Sequence, residues 1–283
     1  MIHPRTVAVV LTTHNRPIPI LKRALDSVFR QTYVPIKIVV ADTSTAPEVS
    51  SAITDYIESL DRSDLELISL PGRSNNYGRN RGAGSVGGDY ISFLDDDDEW
   101  FPRKLESQIR MMDDNISMIY SNYVVEDKRE DIISRFDRMP ESDRFEIRIL
   151  GENIIGCTSM PLLSRKAFYE AGCFDESIES NQEWDLWIRI LQKHDVKYCP
   201  EIAGIKHYST ESISNARRRR AAGWVRLLMK HADKYIKNHE QLAIATGFFS
   251  REMFGKKMYL TGMAAFMVHV VLRVTCMKKD GVE

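Results

Sequence analysis

The chain has 283 residues, 43% of them hydrophobic and 28% charged, with 39 basic against 40 acidic side chains and a formal net charge of −1. That balance argues against a general nucleic-acid binder, and no apolar run reaches the ~18 residues that a transmembrane helix needs. The charge is unevenly divided: from Arg217 onward 14 Lys and Arg face 5 Asp and Glu, a net of +9, while residues 1–216 carry 25 against 35, a net of −10.

The first 94 residues alternate between short apolar runs and helical patterns. "VAVVL" (7–11), "IKIVVA" (36–41), "LELISL" (65–70) and "YISFL" (90–94) are β-branched or aliphatic runs with little alternation, the pattern of parallel strands buried on both faces. Between the first two, "PIPILKRALDSVFRQ" places Leu21, Ala24, Leu25, Val28 and Phe29 at helical spacing. This predicts an α/β, doubly wound fold with a mainly parallel sheet, in which ligands bind beyond the carboxyl ends of the strands. Each run ends in polar residues, "TTHNR", "DTST", "PGRSNN" and "DDDDE", so four loops are expected on one rim. "GRNRGAG" (78–84) adds small and basic residues where a phosphate can approach backbone closely.

Further on, "SMIYSNYVV" (117–125) reads as a strand, 126–148 as a charged excursion on the acceptor side, "NQEWDLWIRILQKHD" (181–195) as a helix, and "KYCPEIAGIKHY" (197–208) as another strand. Trp184, Trp187, Ile190 and Leu191 share one face of that helix, which reads as core. The four cysteines, Cys157, Cys173, Cys199 and Cys276, show no C-x-x-C spacing, and "VAVVL" is too short for a secretory leader. Reduced thiols and a cytoplasmic location are expected.

The densest signal is "DYISFLDDDDEWFP" (89–102), where a strand runs into Asp95, Asp96, Asp97 and Asp98. Two unit charges about 4 Å apart repel by roughly 4 kcal/mol at an effective dielectric of ~20. A divalent cation is the expected offset, and hard carboxylate oxygens suit Mn²⁺ or Mg²⁺. Asp98 and Glu99 read instead as the acidic start of a helix.

The ordered set "VAVVLTTHNRP", "LKRALDSVFRQTY", "IKIVVADTST", "GRNRGAG", "GDYISFLDDDDEWFPRKLE" and "FDESIESNQEWDLWIRI" resembles the family 2 glycosyltransferases of GT-A fold, over roughly residues 5–215. The resemblance implies a Rossmann-like GT-A domain (1–215), with a nucleotide-binding half (1–104) and an acceptor-binding half (105–215), followed by a basic helical extension (216–283). Asp95 and Asp97 fall on the family's metal-binding D-x-D element, with Asp97 as direct metal ligand, Asp95 on the ribose or the metal, and Asp96 beside the donor. Nucleotide recognition falls to Thr12, His14, Asp42 and Arg79. A carboxylate at the end of the second strand can accept from the imino N–H of uracil, which puts a UDP-sugar first among donors. Ala41 stands where the family commonly has an aspartate, and His14 where it has an aromatic. For Thr12 and Asp42 a turn or cap role is the plain alternative.

By the same resemblance Glu183 occupies the catalytic-base position, with Asp185 two residues on, and His207 is a late metal or diphosphate ligand. Ser180 and Glu183 also have the S-x-x-E spacing of a capping box, which offers Glu183 a purely structural role. The implied activity is metal-dependent, inverting transfer of one monosaccharide to a hydroxyl on a sugar or lipid-linked acceptor, in making a cell-surface polysaccharide or glycolipid. The lack of a Q-x-x-R-W motif speaks against a processive synthase. Two alternatives stay open: a sugar-1-phosphate nucleotidyltransferase, although "TTHNRP" lacks its Gly-rich loop, and a silent module that only binds nucleotide-sugar.

In the tail, "GKKMYLTGMAAFMVHVVLRVTCMKK" has 11 uncharged residues from Gly262 to Leu272 between basic flanks. It reads either as a helix packed on the catalytic domain or on a homodimer partner, or as a peripheral membrane contact within 241–283 at the cytoplasmic face. "RRRR" (217–220) reads as a solvated face or a phosphate contact.

Overall fold

A computed structural model of the protein describes residues 5–127, 132–137, 144–208 and 217–280. The chain opens with the expected alternation: β1 (Val7–Thr13), α1 (Ile18–Phe29), β2 (Lys37–Asp42), α2 (Pro47–Ser59), β3 (Leu65–Ser69), α3 (Asn75–Ser85) and β4 (Tyr90–Asp95). There follow β5 (Glu99–Trp100), α4 (Lys104–Ile109), β6 (Ile116–Ser121), β7 (Tyr123–Asp127), β8 (Ile132–Phe136), α5 (Phe145–Gly151), β9 (Leu162–Ser164), α6 (Arg165–Glu170), α7 (Gln182–Leu191), β10 (Asp195–Cys199) and β11 (Gly204–Tyr208). The remainder forms α8 (Arg217–Lys230), α9 (Ala232–Lys237), α10 (His239–Gly255) and α11 (Tyr259–Asp280).

Two compact units result. The first comprises Met1–Met139, Ile155–Glu176 and Lys193–Ser209 and holds the sheets; the second comprises Pro140–Ile154, Ser177–Gln192 and Thr210–Glu283 and is helical. The boundary expected at 215–216 lies outside the described residues.

In the first unit a seven-stranded sheet runs β10-β6-β9-β4-β1-β2-β3. β1 is parallel to β2 and to β4, whereas β9 is antiparallel to β4 and β6. Every residue of β1 is buried, as befits a central strand covered on both faces. Leu21, Ala24, Leu25 and Val28 of α1 pack into one core with Val7, Val9 and Leu11. Strand order reverses at β1, with β2 and β3 on one side and β4 on the other, so the carboxyl ends of β1 and β4 form the switch point where such sheets bind ligands. The register sets Thr12 opposite Ala41 and Asp95, and Thr13 opposite Asp42.

"GRNRGAG" lies in α3, whose Ser74 cap accepts from the Tyr77 N–H at 3.2 Å. Two of its glycines admit close packing of the helix on the sheet: a Cβ at Gly82 would lie 2.5 Å from Val10 Cγ1, and one at Gly78 3.1 Å from Thr43 Cγ2. Two expected strands are each divided, 117–125 into β6 and β7 and 197–208 into β10 and β11, with the halves in different sheets. Both breaks fall at one place, where the Ala203 N–H donates to the Asn122 carbonyl at 2.8 Å. The second sheet, β5-β11-β7-β8, pairs β11 parallel to β7 and antiparallel to β5.

In the helical unit Trp184 and Trp187 are buried. Trp184 Nε1 donates to the Ile149 carbonyl at 2.6 Å, and its ring meets Trp224 edge-on with centroids 5.0 Å apart. α10 and α11 pack together, with Ser250 Oγ donating to the Gly262 carbonyl at 2.9 Å. Among the described residues no helix is long and apolar enough to cross a membrane.

Candidate active site

The β1 and β2 loops are laced together at the rim of the sheet. Thr43 donates to the Thr13 carbonyl from its N–H (2.9 Å) and its Oγ1 (3.0 Å), and His14 Nδ1 lies 2.9 Å from the Thr43 carbonyl. Asn15 adopts φ 51°, a left-handed conformation that asparagine tolerates better than most residues. Its N–H donates to Ser44 Oγ (2.8 Å), and its Oδ1 accepts from the N–H groups of Thr45 (2.9 Å) and Ala46 (3.1 Å). In the sequence Asn15 is only a generic turn signal, because its partners lie 30 residues on. Thr12 and Asp42 are buried where their strands end. The Asp42 carboxylate accepts from the Ser44 N–H (2.9 Å) and from Ser50 Oγ (2.5 Å), so it shapes the turn into α2.

The four aspartates after β4 divide into two inward and two outward groups. Asp96 and Asp98 are buried, while the Asp95 and Asp97 side chains remain 25% and 21% exposed. Asp96, expected beside the donor, turns inward and accepts from Arg16 Nε (2.9 Å) and the His14 N–H (3.3 Å). Burial pushes its carboxyl up to about 7, against the pull of Arg16. Asp98 accepts from Ser159 Oγ at 2.5 Å, and burial pushes it too up to about 7, with Lys206 opposing and Asp97 and Asp95 adding to the rise.

The expected helix start at Asp98 and Glu99 is therefore corrected. Glu99 lies in β5 and pairs with Arg30 at 3.1 Å, and the next helix begins at Lys104. The offset expected from a divalent cation also comes in part from the protein. Arg16 Nη2 reaches Asp97 Oδ2 at 3.2 Å, and Arg23 Nη2 donates to the Asp97 carbonyl at 2.6 Å. Asp95 accepts from Arg79 Nη2 at 2.5 Å; burial disfavours its charge, but Arg79 and Lys206 outweigh this and hold the carboxyl below its usual range.

Arg79, expected to reach base or phosphate, is 3% exposed and committed to Asp95 and to Asn76 Oδ1, 2.9 Å from its Nη1. His207 Nδ1 lies 2.6 Å from Glu126 Oε2, and its Nε2 lies 3.7 Å from Glu99 Oε2. Burial, aided by Arg23, lowers the His207 pKa, which favours neutral imidazole. Its neighbour Lys206 points to the opposite face of the strand, where Asp98 and Asp95 overcome partial burial and raise its pKa. Lys206 has no local signature beyond one lysine in an apolar strand.

No cluster of three or more His, Cys, Asp or Glu side chains able to cage a metal occurs among the described residues. Mg²⁺ in particular is usually held by one or two carboxylates, with substrate phosphates completing its shell. Asp95 and Asp97, two partly exposed carboxylates, fit that donor chemistry, whereas His207 Nε2, expected as a late metal or diphosphate ligand, is buried beside Glu99 on the other face of β11 from Asp95.

In the helical unit the capping box does not form. α7 is preceded by Asn181 at φ 62° with no side-chain cap bond, and Ser180 Oγ accepts from Arg220 Nη1 at 3.1 Å. The Glu183 carboxylate, half-buried in the first turn, makes no hydrogen bond or ion pair among the described residues. Asp185, expected as a second catalytic carboxylate, is wholly buried and saturated. Its Oδ2 accepts from Arg189 Nη2 (2.7 Å) and Nε (3.0 Å), Lys230 Nζ lies 3.0 Å away, and His231 Nε2 lies 2.9 Å from Oδ1. Despite burial these groups hold its carboxyl well below the usual range. Asp185 anchors α7 to the junction of α8 and α9.

The chain matches the family model Glycosyl transferase family 2 over residues 8–172. It belongs to that family. The matched span runs from β1 through α6 and contains the aspartate turn, whereas Glu183 and His207 lie beyond it. An uncharacterised glycosyltransferase of Methanocaldococcus jannaschii is 28% identical over 201 residues, 68% of this chain and 66% of the relative. The UDP-Glc:alpha-D-GlcNAc-diphosphoundecaprenol beta-1,3-glucosyltransferase WfgD of Escherichia coli is 26% identical over 213 residues, 74% of this chain and 79% of the relative. GalNAc-T7, solved with UDP, GalNAc and Mn²⁺, superposes with a TM-score of 0.61 at 15% identity, covering 81% of this chain and 48% of that one. The family 2 chain thus has the GT-A fold, and it spans about two thirds of the length of the Methanocaldococcus relative.

Proposed function

We propose that this family 2 glycosyltransferase moves a single monosaccharide, with inversion, from a nucleotide-sugar to a hydroxyl on a sugar or lipid-linked acceptor, in the assembly of a cell-surface polysaccharide or glycolipid. A UDP-sugar is the first choice of donor and Mn²⁺ or Mg²⁺ the cofactor. The observation that carries the reading is the pair of partly exposed carboxylates, Asp95 and Asp97, at the switch point of the sheet, with Asp95 in register with Thr12. WfgD, which by its name takes UDP-Glc and a diphosphoundecaprenol acceptor, supports both the donor and the lipid-linked acceptor.

Asp97 and Asp95 hold the cation; His207, whose ring faces Glu126 and Glu99 on the other side of β11 from Asp95, stands outside this pair. When bound, the cation supplies positive charge against the leaving diphosphate. Arg79 is a positioning residue, since it fixes Asp95 from within the fold. Thr12, His14 and Asp42 line the nucleoside side, where Asp42 retains lone pairs beyond the two it commits to Ser44 and Ser50. Glu183, without a hydrogen-bond or ion-pair partner among the described residues and at the start of α7, takes the proton from the acceptor hydroxyl as general base.

A thermal-shift panel of UDP, GDP, CDP and dTDP with and without Mn²⁺ tests the donor site. The expected result is a rise in melting temperature with UDP that requires Mn²⁺ and exceeds that of the other nucleotides. No shift with any nucleotide, or a shift indifferent to Mn²⁺, would overturn the reading. Release of free sugar and nucleoside diphosphate from the donor separates the enzyme from a silent binding module.

A further inference from the structure

We propose that the solvent face of α11 is a docking surface for an anionic lipid bilayer. Of the fifteen large hydrophobic side chains exposed among the described residues, seven fall within residues 254–268. Leu260 (86% exposed), Met267 (62%), Tyr259 (59%), Met263 (57%) and Phe266 (49%) recur at spacings of three, four and seven, which gathers them on one stripe of the helix. No charged residue interrupts 258–272. The other side of the helix is occupied: Gly262 and Ala265 are buried, and His269 Nδ1 lies 2.6 Å from the Ala243 carbonyl of α10. The helix is thus fixed by one face and leaves the other uncovered.

Charge indicates what covers it. Lys256 and Lys257 form the turn that leads into α11, and the segment from Arg217 onward carries a net +9. A second copy meeting this face would bring another +9 against the first, whereas anionic headgroups attract basic side chains beside a buried apolar stripe. A contiguous exposed apolar stripe marks an interaction site. With one face held by α10 and the apolar stripe on the other, α11 lies along the surface of the bilayer. This inference stands apart from the proposed glycosyl transfer and fails or holds without it.

Flotation of the full chain tests it, with vesicles of phosphatidylcholine alone and of phosphatidylcholine with an equal part of phosphatidylglycerol. The chain is expected to float with the phosphatidylglycerol vesicles and to remain largely unbound with phosphatidylcholine. The double variant Leu260→Ser/Met267→Ser should lose binding by about tenfold or more, and Lys256→Ser/Lys257→Asn by about fivefold per lysine, with melting temperatures unchanged. Should a variant misfold, the comparison of the two vesicle types with the unmodified chain still decides. Absence of binding to both vesicles, equal binding to both, or a folded apolar-face variant that binds as before would overturn the proposal. So would a dimer in sedimentation equilibrium that the same variant dissolves, which would assign the face to a second copy.

Discussion

The guanidinium of Arg16 spans two successive aspartates, with Nε 2.9 Å from Asp96 Oδ1 and Nη2 3.2 Å from Asp97 Oδ2. The loop after β1 thereby ties itself to the loop after β4 across the switch point. One of those carboxylates is buried and structural; the other is left partly open to a ligand.

Arg16→Gln should cost stability, on the order of 2 kcal/mol, because it leaves Asp96 buried without its counter-ion. The loss should be smaller in acid. Asp96 and Asp98 titrate near 7 in the fold against an ordinary value of 3.8, so between those values the folded chain holds protons that the unfolded chain has released. Their contribution to stability therefore falls as pH rises through that window and levels off above it. Protonated Asp96 needs no Arg16. Urea melts of both proteins across the window check the sign.

Asp185→Asn should destabilise by roughly 3–5 kcal/mol, since it strands Arg189, Lys230 and His231 around a neutral group. The Asp185 carboxyl lies below its usual range when folded, so its contribution is complete above that range and is lost as pH falls through the folded value. The variant should lack this part of the acid limb of the wild-type stability curve. A lost turnover at unchanged melting temperature would instead return Asp185 to the catalytic apparatus.

Glu183→Gln should reduce turnover by about 10²–10⁴-fold, the usual worth of a general base. Its melting temperature should stay near wild type, because no cap bond is lost. Retained turnover removes Glu183 from the mechanism.

Gly82→Ala should cost roughly 1–3 kcal/mol by overpacking, because the new methyl meets Val10 Cγ1. Val10→Ala in the same chain should recover part of the loss, and a double-mutant cycle in urea measures the coupling.

Much of this was legible in the sequence. β1, β2 and β4 read plainly because strands covered on both faces are unbroken apolar runs, and the aspartate run marked the rim. The division at Asn122 was hidden, since both halves are apolar and only the change of sheet separates them. β5 and β9, of two and three residues, are too short to leave a pattern. The aspartate turn announced a site but not its interior: Arg16 lies 80 residues from Asp96 and Ser159 lies 61 from Asp98, so their pairing has no local trace. The S-x-x-E spacing at Ser180 misled because Arg220 engages that serine instead.

Asp97 is the proposed cation ligand on which the rest of the chemistry depends. Sugar transfer by Asp97→Asn, titrated with Mn²⁺ beside the wild type, tests it most directly. The expected outcome is a fall of about 10²-fold or more, loss of the Mn²⁺ response, and a melting temperature at or above wild type once one charge leaves the turn. Transfer at the wild-type rate with the same Mn²⁺ dependence would contradict it.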